Sequence, residues 1–127
     1  ENKNRFIKSS ILNCLKGSPI TVHEDKEMDF FYIDDVCTVI EHYLKNYDKD
    51  NNTLPIDLNL CYEEKKSLKS IANYIKDLTS NNNHVIINNE RGKSYSGNGL
   101  KLKSLNLPLV GLDEGIRRIY NTIINNR

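Results

Sequence analysis

The chain has no tryptophan, one methionine, three prolines and three cysteines among 127 residues. Three widely spaced cysteines, Cys14, Cys37 and Cys61, cannot make a disulfide framework, and two of them fall on apolar helix faces. Buried thiols in a reducing compartment are the expectation. There is no long apolar run, so no transmembrane helix is expected, and the start Glu1-Asn2-Lys3-Asn4 has neither the basic nor the apolar region of a signal peptide. A cytoplasmic protein is expected. Charge of either sign is not in excess: 18 basic against 17 acidic side chains leave +1, which supplies no field to attract nucleic acid or an anionic membrane. Residue 1 is not Met and a helical pattern begins within five residues, so the sequence reads as a fragment whose upstream portion is missing.

What is present suits one globular unit. Apolar residues make up 38% and charged residues 28%, and a chain of this size buries roughly two thirds of its unfolded surface. From Asn4, a suitable N-cap, Ile7, Ile11, Cys14 and Leu15 keep helical spacing until Gly17 and Pro19 stop it. Ile20 and Val22 flank Thr21 in a short strand, and the aromatic run 28–33 predicts a second. Asp34 and Asp35 then stand at a helix start, where carboxylates meet free N–H groups and the positive end of the dipole. Residues 45–54 read as a loop. The alternation Ile56-Asp57-Leu58-Asn59-Leu60 predicts another strand, Ser67 caps a helix striped by Leu68, Ile71, Ala72, Ile75 and Leu78, and 79–83 end it. Val85-Ile86-Ile87 is a further strand candidate, 88–99 an irregular connection holding three of the six glycines, and Leu112, Ile116, Ile119, Tyr120 and Ile123 mark a last helix. The pattern is mixed α/β (α+β), with about four helices and small sheets.

The motifs for chemistry are thin. Tyr62-Glu63-Glu64-Lys65-Lys66 matches Tyr-x-x-x-Lys, but it lies between a strand and a helix cap, so the two side chains need not share a helical face. Gly97-Asn98-Gly99 lacks the third glycine of a dinucleotide loop, and no helix is expected directly after it. His23, His42 and His84 are scattered without ligand spacing, so surface histidines are expected and no metal. Among Arg5, Arg91, Arg117, Arg118 and Arg127, two are candidates for an anionic ligand: Arg91, beside Gly92 in a pliant loop, and Arg5, at the first turn of a helix.

In order, Arg5-Phe6-Ile7, Gly17-Ser18-Pro19-Ile20-Thr21-Val22, Asp29-Phe30-Phe31-Tyr32-Ile33-Asp34-Asp35-Val36, Leu58-Asn59-Leu60, Ser67-Leu68 and Gly111-Leu112-Asp113-Glu114-Gly115-Ile116 resemble the C-terminal half of extended short-chain dehydrogenases/reductases, the nucleotide-sugar epimerase and dehydratase family. The resemblance spans nearly the whole chain. It implies a substrate-binding domain over residues 1–127, without catalytic residues or cofactor of its own. The parent enzyme would carry an N-terminal Rossmann domain with NAD or NADP and could be a homodimer. The implied ligand is a nucleoside-diphosphate sugar, held by Arg5, Phe6, Pro19, Thr21 and Arg91. Met28 stands where the family commonly has a diphosphate-binding Arg, which transfers that role to Arg91 or removes it. Cys61 stands where the family usually has Gly, and Asp34 and Asp35 are implied to be helix caps. The alternative class is a free-standing binding module derived from such an enzyme and no longer catalytic. The richness in Asn, Lys and Ile fits an AT-rich bacterial genome, where by analogy such enzymes serve surface polysaccharide synthesis.

Overall fold

The computed structural model describes residues 5–47, 54–80, 82 and 84–127. Helix α1, Phe6–Leu15, turns through Gly17, whose φ of 76° suits a residue without Cβ. The chain then enters strand β1, Ile20–Val22. Ile20 and Val22 point into the core and Thr21 outward, as the alternation requires.

Strand β2, Val85–Ile87, lies parallel to β1 with Ile20 opposite Val85 and Val22 opposite Ile87. Parallel neighbours need a long crossover. Here it contains helix α2, Ile33–Asn46, and helix α3, Leu68–Leu78. Ser67 caps α3 as its position predicts, its hydroxyl accepting from Ser70 N–H at 3.1 Å. This helix is the centre of the fold, touching α1, both strands and helix α5, Leu112–Asn125. Ile71, Ala72 and Ile75 from α3 join Ile11, Cys14, Ile20, Val22, Leu68 and Ile116 in one buried core. The architecture is therefore mixed α/β: among the described residues, five helices around a two-stranded parallel sheet.

Several expectations change. The run 28–33 forms no strand. Met28 makes one isolated bridge to Tyr95, Phe30 packs on the core, Phe31 stacks on Tyr62 at 4.6 Å, and Ile33 already belongs to α2. The extended backbone is held by its side chains, and the Tyr32 carbonyl, accepting from Asp35 and Val36 N–H, draws the chain into helix. Residues 56–60 alternate as a strand should, yet no described strand lies beside them. Ile56 is 105% exposed, and the segment is tied to α2 by the Tyr43 hydroxyl donating to the Pro55 carbonyl at 2.8 Å.

The described residues hold five helices, one more than expected, because helix α4, Leu100–Ser104, is too short to show a period. It also opens directly after Gly99, against expectation. The carboxylates of Asp34 and Asp35 do not cap α2: its N-cap is Tyr32, with no side-chain cap bond. The proposed cap Asn4 lies outside the described residues; the N-cap position of α1 is Arg5, without a side-chain bond. Helix α2 extends to Asn46, past the start of the expected loop at 45, while 48–53, 81 and 83 lie outside the description. No disulfide joins Cys14, Cys37 and Cys61; Cys14 and Cys61 are buried, but Cys37 is on the exposed side of α2.

Candidate functional site

A cleft of about 660 Å³ opens between the N-terminal turn of α1, the segment 29–33 and the inner face of α5. Its floor is aromatic and aliphatic: Phe6, Phe30, Phe31, Tyr32, Leu112, Ile116 and Ile119. Phe6 and Phe30 stack with centroids 6.3 Å apart. Arg5 and Lys8 from α1 bring positive charge to its lining and Asp29 a carboxylate.

That carboxylate is already engaged. One Asp29 oxygen accepts from Lys65 Nζ at 2.9 Å and the other from Gly97 N–H at 2.5 Å. Burial opposes the Lys65 charge, but the Asp29 hydrogen bond and charge outweigh it, and the ammonium pKa is raised. Asp29 is thereby neutralised by a local partner.

Behind the cleft lies a second buried carboxylate. Asp35 is fully buried and accepts from the Tyr62 hydroxyl at 2.5 Å, Val110 N–H at 2.7 Å and Gly111 N–H at 2.9 Å. It clamps the start of α2 to the turn that opens α5. Burial, then the Asp35 hydrogen bond, push the Tyr62 hydroxyl far above its ordinary 10.0. A catalytic Tyr needs the opposite shift. Lys66, its formal partner in Tyr-x-x-x-Lys, pairs with Asp113 at 3.2 Å and Glu64 at 3.5 Å, so the motif is not assembled.

Of the residues singled out in the sequence, the structure brings Arg5 and Phe6 together in the cleft. Met28 is half-buried and packs on the same core as Phe6 and Phe30. Pro19 and Thr21 are exposed, on the turn after α1 and on the outward side of β1, and Arg91 is exposed on the loop after β2. None of these four is in the cleft lining. Arg91 N–H donates to Asn89 Oδ1 at 3.0 Å, and its neighbour Gly92 lies tight against Glu24, Asp25 and Lys26. The aromatic trio Phe30, Phe31 and Tyr32 was hidden by its reading as a strand. Gly115 left a usable signal, a glycine inside a strong helical period.

Metal and dinucleotide chemistry find no support in these residues. Among the described residues no three His, Cys, Asp or Glu side chains cluster for a metal. A dinucleotide fold needs strand, glycine turn and helix N-terminus in succession, with free N–H groups for a pyrophosphate. The connection from β1 to α2 has no glycine. In the loop after β2, Gly97 N–H is taken by Asp29, Leu100 N–H by Asn98 Oδ1 at 2.9 Å, and Gly99 sits 2.8 Å, at its would-be Cβ, from the Cys61 carbonyl. These residues do not fit NAD or NADP. No helix among the described residues is long and apolar enough to cross a membrane.

By sequence, no family model and no curated protein matches the chain. By structure it is similar to UDP-glucuronic acid 4-epimerase from Bacillus cereus, solved with UDP-glucuronic acid and NAD, at 19% identity and a TM-score of 0.74, over 100% of this chain and 42% of that one. A UDP-glucose 4-epimerase from Thermotoga maritima, solved with UDP-glucose, matches at 17% identity and 0.73, over 98% and 41%. A GDP-L-fucose synthetase from Naegleria fowleri matches at 18% and 0.74, over 99% and 42%. The chain thus spans about two fifths of the length of these structures and has the fold of part of the extended short-chain dehydrogenase/reductase architecture seen in nucleotide-sugar epimerases and dehydratases.

Proposed function

We propose that this chain is the nucleoside-diphosphate-sugar-binding part of an NAD(P)-dependent epimerase, dehydratase or reductase. The supporting observation is that the whole chain superposes on part of an enzyme solved with UDP-glucuronic acid and NAD, and nearly all of it on part of one solved with UDP-glucose, while its own residues do not fit a dinucleotide. In this reading NAD or NADP and the catalytic groups belong to an N-terminal Rossmann domain of the same cytoplasmic protein, a homodimer in its full form. The chain contributes binding and orientation, and hydride transfer requires the rest.

The cleft suits that role. Its aromatic wall offers flat surface to a base, and Arg5 offers a donor fork to diphosphate oxygens. A charge-assisted hydrogen bond of this kind contributes about 1.5–3 kcal/mol. Arg91, exposed on the loop after β2 and outside the cleft lining, is assigned to the diphosphate by the resemblance alone.

Calorimetric titration with uridine, thymidine, guanosine and cytidine diphosphates tests the reading. Binding of one of them, weakened at least tenfold by Arg5→Ala and also by Arg91→Ala, is expected. Failure to bind any of the four would overturn it, and an unaltered affinity for Arg91→Ala would remove that residue from the site.

One observation favours a second reading, a non-catalytic module. Met28 fills the place of a diphosphate-binding Arg and packs against the core. The reading frame upstream of Glu1 separates the two: a glycine-rich strand-to-helix turn with a Tyr-x-x-x-Lys helix supports the enzyme, an initiator Met the module.

A further inference from the structure

Gly115 is buried within α5, where a glycine weakens the helix relative to alanine. A close approach explains it. A Cβ built there would fall 2.7 Å from Cγ, 2.9 Å from Cβ and 3.0 Å from Cδ1 of Tyr32. The atoms met are the root of the ring, so no distal torsion relieves the contact. Nor can Tyr32 withdraw: its N–H donates to the Tyr62 hydroxyl at 3.1 Å, and its carbonyl holds the first turn of α2. Its hydroxyl end lies by Asp34 and Arg118, so the ring is laid across α5. Both Tyr32 and Gly115 line the cleft. We propose that Gly115 is a positioning residue that sets the width of the cleft by letting the Tyr32 ring lie on the α5 backbone; this rests on the cleft being the nucleotide site. With any side chain at 115, α5 and the segment that carries Tyr32 must move apart, and both line the cleft.

The test is a double-mutant cycle on the 127-residue chain, read by thermal unfolding and by titration with the nucleoside diphosphate that the wild type binds best. Gly115→Ala alone should lower Tm and weaken binding at least tenfold. In a Tyr32→Gly background the same substitution meets neither the ring nor the Cβ of residue 32. There it should raise Tm, through the better helix propensity of alanine, and change affinity less than twofold. Equal losses in both backgrounds would overturn the proposal, since Gly115 would then act without Tyr32. If the wild type binds no nucleoside diphosphate, the functional reading falls; a reversal of sign in Tm would then leave Gly115 a packing contact only, and the proposed role in the cleft would fall with that reading. Tyr32→Gly also guards against a trivial loss of folding, because it removes the three atoms that a Cβ at 115 would meet without adding any.

Discussion

The Tyr62 hydroxyl donates to the Asp35 carboxylate at 2.5 Å, and the same carboxylate receives the N–H groups of Val110 and Gly111, 75 and 76 positions further along the chain. Three donors converge on one fully buried acid. Removing the acceptor strands all of them, and each charge-assisted bond is worth about 1.5–3 kcal/mol. Asp35→Ala should therefore cost at least about 3 kcal/mol, and Asp35→Asn less, because the amide keeps one acceptor oxygen. Urea denaturation measures both. A loss below about 1 kcal/mol for Asp35→Ala would mean that the clamp does not hold α5 in place.

Alkali should act on the other end of this bond. The Tyr62 hydroxyl is neutral in the fold to a higher pH than in the unfolded chain, where it titrates near 10.0. The native state then holds a proton that the unfolded state has lost, so this contribution is complete below about pH 10 and disappears as pH climbs toward the folded value. Tyr32 and Tyr74 are raised too, chiefly by burial. Stability followed by denaturant midpoint should be level from neutrality to about pH 9 and fall beyond pH 10. Tyr62→Phe should flatten part of that fall and cost about 1 kcal/mol at neutral pH. An unchanged alkaline slope in Tyr62→Phe would assign the effect to the other tyrosines.

Much of the fold is legible where side-chain period and backbone state have one cause. The α3 stripe and its Ser67 cap, the Thr21-outward alternation of β1, and the α5 stripe all follow from burial against a single core. Legibility fails where the partner is remote. Segments 28–33 and 56–60 carry strand patterns, but a strand exists only when another lies beside it, and among the described residues neither has a ladder partner. Asp35 reads locally as a cap, yet its donors come from across the chain. The cleft suffers similarly: Arg5 and Phe6 are readable as the opening of a helix, while the pairing of Tyr32 with Gly115 depends on the residue before α2 meeting α5, which no local signal carries.

Ser67 offers a cleaner local test. Its hydroxyl accepts from Ser70 N–H at 3.1 Å and donates to the Ser70 hydroxyl at the same distance. Ser67→Ala leaves an N–H of the first turn of α3 without its partner, which should cost about 1 kcal/mol. Ser67→Asp should hold stability near the wild-type level, since a carboxylate caps equally well and meets the helix dipole favourably. Chemical denaturation of the two variants decides between a cap and a dispensable surface hydroxyl: equal losses for Ala and Asp would rule out the cap.

The outer face of α2 should govern the solution behaviour of the isolated chain. Ile40, Leu44, Tyr47 and Ile56 are 52, 74, 77 and 105% exposed. With Val39, Tyr43, Leu58 and Leu60 they line a groove of about 330 Å³ that has no charged residue among the described residues of its lining. A contiguous apolar surface of this kind marks an interaction site or an aggregation liability. In the 127-residue chain a second copy is the simplest cover. Sedimentation velocity should show association that grows with concentration, and a polarity-sensitive dye should bind. Leu44→Lys combined with Ile56→Lys should shift the chain toward monomer and reduce dye binding. Because both side chains are exposed, the double variant should unfold within about 0.5 kcal/mol of the wild type. A wild-type chain that stays monomeric at every concentration and binds no dye would show that this face needs no cover.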